Sequence, residues 1–196
     1  MIELSLSDYL TTIKTLKMKK LLSILTIAVV SVLNAQVIIG DAVGTATTKT
    51  SVLLEFALGQ NKGLILPYVR TMPATPTEGT ILLDASTATT ARVKYYNGTW
   101  QDLSGQDANI TTVLSTQPTA VQAPELATTK SIIGAQTSTA EGVLVLESTT
   151  KAMVLPTVAD VQNIPSPSPG MMVYVNKTGA KRLAVYNGSK WSFWKP

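Results

Sequence analysis

The chain carries one pattern twice, so any fold it adopts must be one that a repeated unit can build. The first copy runs through Val37-Ile38-Ile39-Gly40, Ser51-Val52-Leu53-Leu54-Glu55, Lys62-Gly63-Leu64-Ile65-Leu66-Pro67, Pro76-Thr77-Glu78-Gly79 and Tyr96-Asn97-Gly98-Thr99-Trp100. The second runs through Ser131-Ile132-Ile133-Gly134, Gly142-Val143-Leu144-Val145-Leu146-Glu147, Lys151-Ala152-Met153-Val154-Leu155-Pro156, Pro167-Ser168-Pro169-Gly170 and Tyr186-Asn187-Gly188-Ser189-Lys190-Trp191. The landmarks recur in the same order, which is the signature of an internal duplication.

Short apolar runs closed by glycine or proline read as strands, because they are rich in β-branched residues and too short for helical periodicity. Proline donates no backbone hydrogen bond, so Pro67 and Pro156 should each end a strand or lie on an edge. Asn-Gly between strand-forming residues predicts a type I′ hairpin at Asn97-Gly98, with Tyr95 facing Trp100 across a two-residue loop. The second copy has one more residue there, so a three-residue loop Asn187-Gly188-Ser189 would let Val185 face Trp191 equivalently.

The expected fold class is therefore mainly β, with two tandem small β-rich modules built on hairpins, joined by a linker, after an N-terminal signal helix. Residues 36–103 would be the first module and 131–196 the second. The stretch between them, 104–130, is rich in Thr, Gln, Ala and Pro. Val113, Leu114 and Leu126 look too sparse to form a core, so it reads as a linker or thin shaft, with a short helix around Ala123 to Thr129 as the alternative.

Residues 1–35 read as an upstream extension plus a signal peptide. Met18-Lys19-Lys20 followed by the apolar run Leu21 to Leu33 has the charged and hydrophobic regions of a secretory signal, with Met18 as the expected true start and cleavage after Ala35. The run is shorter than the roughly 20 residues of a membrane span. Membrane contact is therefore expected only through an uncleaved signal, and localisation is expected to be extracellular or on the outer cell surface.

Charge adds an exclusion. The chain has 16 Lys and Arg against 12 Asp and Glu. Lys14, Lys17, Lys19 and Lys20, with Glu3 and Asp8, precede residue 36, leaving 12 against 10 in the remainder. That balance is no footprint for nucleic acid.

Histidine and cysteine are absent, which removes the commonest general base, the thiol nucleophile and the usual transition-metal ligands. No catalytic, cofactor-binding or metal-binding residue is assigned, and the protein is expected not to be an enzyme. The acids Asp41, Glu78, Asp84 and Asp102 are scattered singly. Glu55 and Glu147 recur at strand ends and read as capping or solvated groups. Gly40-Asp41-Ala42-Val43-Gly44 lacks the Gly-Lys-Ser/Thr ending of a phosphate loop and reads as a turn.

With these landmarks in hand, the chain resembles exported repeat proteins of Bacteroidetes bacteria. Their repeats carry an Ile-x-Ile-Gly opening, a Lys-Gly-Leu-Leu-Leu-Pro-Arg-Val segment, a Pro-x-x-Gly strand and a closing Tyr-Asn-Gly-x-x-Trp. The opening and the Leu-Pro segment are also similar to repeats of phage tail fibres and other surface fibres, which are often trimeric. Tyr68 and Thr157 stand where the group has Arg. The resemblance implies a non-catalytic structural or adhesive surface protein, forming fibres by oligomerisation, and it favours a trimer among homo-oligomers. The alternative is a carbohydrate-binding module acting through the hairpin aromatics. Trp194, Tyr96, Tyr186 and Tyr68 are the candidate contacts for a surface glycan or protein partner. Trp194 stands out among them because it has no counterpart in the first copy.

Overall fold

The structure is a computed structural model that describes residues 11, 14–20, 36–41, 43–119, 121–124, 126 and 129–194. It divides into two units, Met1–Ala35 and Gln36–Pro196. In the first, residues 14–20 are helical. The expected hydrophobic stretch of the signal and its cleavage site lie outside the described residues. Among those described, no helix is long and apolar enough to cross a membrane.

The second unit is mainly β, as expected. Strand β1 (Val37–Ile39) runs parallel to β2 (Val52–Phe56), and β8 (Ser131–Ile133) repeats this against β9 (Leu144–Leu146). Each opening strand stops at a glycine with positive φ, Gly40 at +104° and Gly134 at +100°, a conformation that residues with a Cβ rarely adopt.

Next come β3 (Leu64–Ile65) and β4 (Tyr68–Val69), with β10 (Ala152–Met153) and β11 (Thr157–Val158) as their counterparts. The remaining strands of the first copy are β5 (Ile81–Asp84), β6 (Arg92–Tyr96) and β7 (Trp100–Asp102). Those of the second are β12 (Met171–Val175), β13 (Arg182–Tyr186) and β14 (Trp191–Trp194). Each copy builds the same order, β4-β5-β6-β7 and β11-β12-β13-β14, with the first pair parallel and the others antiparallel.

The expectation that each proline ends a strand is met, and it has a larger result. Ahead of Pro67, β3 pairs antiparallel with β12 of the second copy, while β4 just beyond pairs with β5 of its own copy. Ahead of Pro156, β10 pairs parallel with β2 of the first copy, while β11 pairs with its own β12. The chain changes sheets at both Leu-Pro steps, where the missing N–H interrupts the ladder. The copies therefore share strands, and residues 36–196 form one unit in place of two modules strung on a linker.

They also share a core. Strand alternation sends Met172, Leu183 and Val185 to one face of the β12–β13 pair, where they pack with Leu66, Leu83, Ala91 and Val93 of the first copy. Met171, Val173, Val175 and Ala184 take the other face, under Val158, Ile164 and the 3-10 turn at Val161–Asn163.

The stretch 104–130 corrects the sequence reading. Its helix α1 lies at Thr111–Thr116, ahead of the Ala123–Thr129 alternative. Ala108, Ile110 and Leu114 are buried members of the shared core. An antiparallel bridge between Ala91 and Ala108 holds this segment down, as does an Ile110 N–H bond to the Ala88 carbonyl at 2.7 Å. Arg70 then donates to the Leu114 carbonyl at 2.8 Å, satisfying one of the acceptors a helix end leaves open. Of the sparse apolar residues named from the sequence only Leu114 points inward, with Ala108 and Ile110 beside it, while Val113 and Leu126 are exposed. The described residues from 118 to 129 are exposed, so the loose connection is confined to that part.

Ile110 is 1% exposed. Ile110→Ala should therefore lower the unfolding free energy by about 3 kcal/mol in urea titration. A position in a free linker would shift it by less than about 0.5 kcal/mol.

Candidate assembly surface

The two hairpins carry most of the candidate contact residues, and their register differs from the expected one. Tyr96 faces Trp100 and Tyr186 faces Trp191, so the loops are Asn97–Thr99 and Asn187–Lys190, each one residue longer than expected. The one-residue difference between the copies is present. A type I′ turn needs positive φ at both central positions, and Gly98 has it (+93°) while Asn97 does not. The register places Tyr over Trp on one face, with ring centroids 5.2 Å apart in both copies. Tyr95, on the opposite face, is then free to pack on the shared core.

The matched tryptophans have unlike surroundings. Tyr186 and Trp191 pack on the cluster around Val173 and Ala184. Tyr96 and Trp100 are half-buried on the face of their sheet turned away from Leu83 and Val93.

The second hairpin is also the seam between the copies. Asn187 is fully buried. Its Nδ2 donates to the Gln106 carbonyl at 2.7 Å, and its Oδ1 accepts the N–H groups of Ser189 and Lys190 at 3.0 Å each. A Cβ on Gly188 would lie 2.7 Å from Ile110 Cγ2 and 3.0 Å from Pro169 Cγ, so only glycine lets the turn settle on the segment beneath it. Along β14, Ser192 Oγ donates to the Ser104 carbonyl and Trp194 Nε1 to the Leu103 carbonyl at 2.7 Å. Asn187 and Gly188 escaped sequence reasoning because Asn97-Gly98 reads the same and makes no such seam.

Of the expected contact residues, Trp194 keeps 45% of its surface exposed although its indole N–H is bonded. Phe193 beside it is also exposed, with the Arg182 guanidinium 4.5 Å above its ring. Tyr68 packs on the shared core, and burial pushes its phenol up. Tyr96 and Tyr186 are each committed to the tryptophan of their own hairpin. The structure brings none of Trp194, Tyr96, Tyr186 and Tyr68 into ring contact with another.

Glu55 corrects the expectation of a solvated strand end, since it is wholly buried. Lys49 Nζ, Gln36 Nε2 and the Ala46 N–H (2.8 Å) all donate to its carboxylate. Gly44, read as part of a turn, passes so close that a Cβ there would overlap the carboxylate. Burial acts to raise this carboxyl, and the Lys49 hydrogen bond, the Ala46 N–H, the Lys49 charge and Gln36 together outweigh it, holding it below the usual range. Glu147 is half-buried and accepts from Ser138 Oγ. Asp84 follows the logic of Glu55: burial is outweighed by Lys94 Nζ at 2.7 Å and by the hydroxyl and N–H of Ser86. Both acids are thus held ionised by a lysine of their own copy. Among the described residues no three acidic side chains gather as metal ligands would.

A carboxyl held below its unfolded value contributes stability that is complete above that value and lost as pH falls through the depressed one. Lys49→Met should strand the Glu55 charge. It costs about 2 kcal/mol, less than a fully buried pair because Lys49 keeps 34% of its side chain in solvent. With the counter-charge gone, burial prevails and the carboxyl rises. Urea titrations followed by circular dichroism should then show the Lys49→Met deficit largest near neutral pH and shrinking as pH falls, because protonating the raised carboxyl favours the folded chain; a deficit that stays constant with pH would contradict this account of Glu55.

Residues 132–195 match the family described as the phage tail like trimerisation region. The matched span is the second copy, from within β8 through β14. No curated protein and no solved structure gives a match.

Proposed function

We propose that this chain is a non-catalytic, exported structural or adhesive component that associates into trimers and serves as part of a surface fibre. The observation that carries the reading is the match of the whole second copy to a phage tail like trimerisation region. The fold supports it. Strands already pass between copies within one chain, and with no cysteine in the sequence no disulfide holds the unit together. Exposed Ile65, Val143, Leu144, Phe193 and Trp194 leave apolar surface for a neighbour to cover. The segment from Met18 to Ala35 supports export. Absence of histidine and cysteine, with Glu55 and Asp84 each neutralised by a lysine, supports a passive role.

A second reading, a carbohydrate-binding module, draws on the exposed rings of Phe193 and Trp194, which β14 presents on opposite faces of its sheet. Native mass spectrometry of the full chain tests the first reading. A mass three times that of the chain is expected at micromolar concentration. A monomer whose tryptophan fluorescence is quenched by polysaccharide would overturn the trimer in favour of the module.

A further inference from the structure

The two copies have the same strands but not the same neighbours. Among the described residues, strand β2 lies between β1 and β10, whereas β9 has β8 on one side and no strand on the other. Strand β12 has β13 on one edge and, along the other, β11 at its end and β3 at its start. Strand β5 has β6 and β4, yet the edge at Thr80 and Ile81, which corresponds to Met171 and Met172, carries no strand among the described residues. The Leu-Pro strands show the same deficit from the other side. β10 is paired with a β2-type strand only, and β3 with a β12-type strand only.

Burial tracks these gaps. Val52 and Leu54 on β2 are 3% and 0% exposed, while Leu144 on β9 and Val143 just before it are 45% and 70% exposed, and Ile65 on β3 is 50% exposed. Side-chain size fits as well. Gly63 must be a glycine because a Cβ there would overlap Met171 Cγ. Its counterpart Ala152 does carry a Cβ, and the residue standing in for Met171 in the first copy is the smaller Thr80. Each Leu-Pro strand therefore has side chains suited to the edge it would need.

We propose that a second copy of this chain fills both gaps in one contact: its β3 adds parallel to the open edge of β9, and its β5 takes the free edge of β10. This repeats between chains the contact that the first copy makes with the second inside one chain, where β10 adds to β2 and β12 takes β3. The unpaired N–H and C=O groups of the edges supply affinity, and the bare apolar side chains supply specificity. The contact joins unlike faces, second copy to first, so it can be repeated around a ring. The inference rests on the trimeric reading above and names the surface through which it would assemble.

The test uses the full chain, which has no cysteine of its own. The β2–β10 register pairs Met153 with Leu54, and the Val37–Leu54 pair of the first copy corresponds to Ser131–Leu144 in the second, which sets Leu64 beside Leu144 across the new contact. Neighbouring strands lie about 5 Å apart, within disulfide reach. Chains carrying Leu64→Cys and chains carrying Leu144→Cys, co-expressed and oxidised, should give a mixed disulfide dimer, identified by mass and absent when only one kind of chain is present. Leu144→Asp, at an exposed position, should convert the trimer to monomer with an unchanged circular dichroism spectrum. A trimer that persists in Leu144→Asp and forms no mixed disulfide would overturn the inference while leaving the trimeric reading intact. A monomeric wild type would overturn both.

Discussion

Two prolines decide how this molecule is held together. A strand that reaches Pro67 or Pro156 meets a residue with no N–H to give, and the ladder it was following must stop. The chain does not turn away there; it crosses into a different sheet, so a strand belonging to one copy completes a sheet belonging to the other. Everything larger follows from that crossing. Met172 and Val185 of the second copy reach Leu83 and Val93 of the first, and the segment between the copies is drawn in to close the remaining gap with Ile110 and Leu114.

The seam at Asn187 completes the lock. A buried side-chain amide is costly unless its polar atoms are satisfied, and here two turn N–H groups and the Gln106 carbonyl do so. The contact works only because Gly188 allows the turn to approach Ile110 closely. Lys49 and Glu55 play a comparable part within the first copy, tying the loop after Gly40 over β2. Neither group has an evident chemical task, and both have a clear structural one.

Strand positions were largely legible in the sequence, since runs such as Val52–Phe56 and Met171–Val175 carry their own local preference. Pairing was not. Two copies with the same local signal give β3 no way to announce that its partner is β12 and not β5, because that choice depends on packing between copies. Hairpin register failed for a related reason: Asn-Gly suggests a tight turn, but the Tyr–Trp stack and the inward Tyr95 outweighed that preference. The buried state of Glu55 was hidden because Gln36, Lys49 and Ala46, its partners, are close in space and scattered in sequence.

The pairing of β3 with β12 spans on the order of a hundred residues, a separation that slows folding because the loop must close before the contact forms. A chain emerging from its N-terminal side therefore presents Leu64 and Ile65 long before Met171 and Met172 exist to receive them. During that interval the first copy is an unfinished sheet. Its timing, more than its final stability, governs whether a nascent molecule closes on itself or is captured by whatever other strand arrives first.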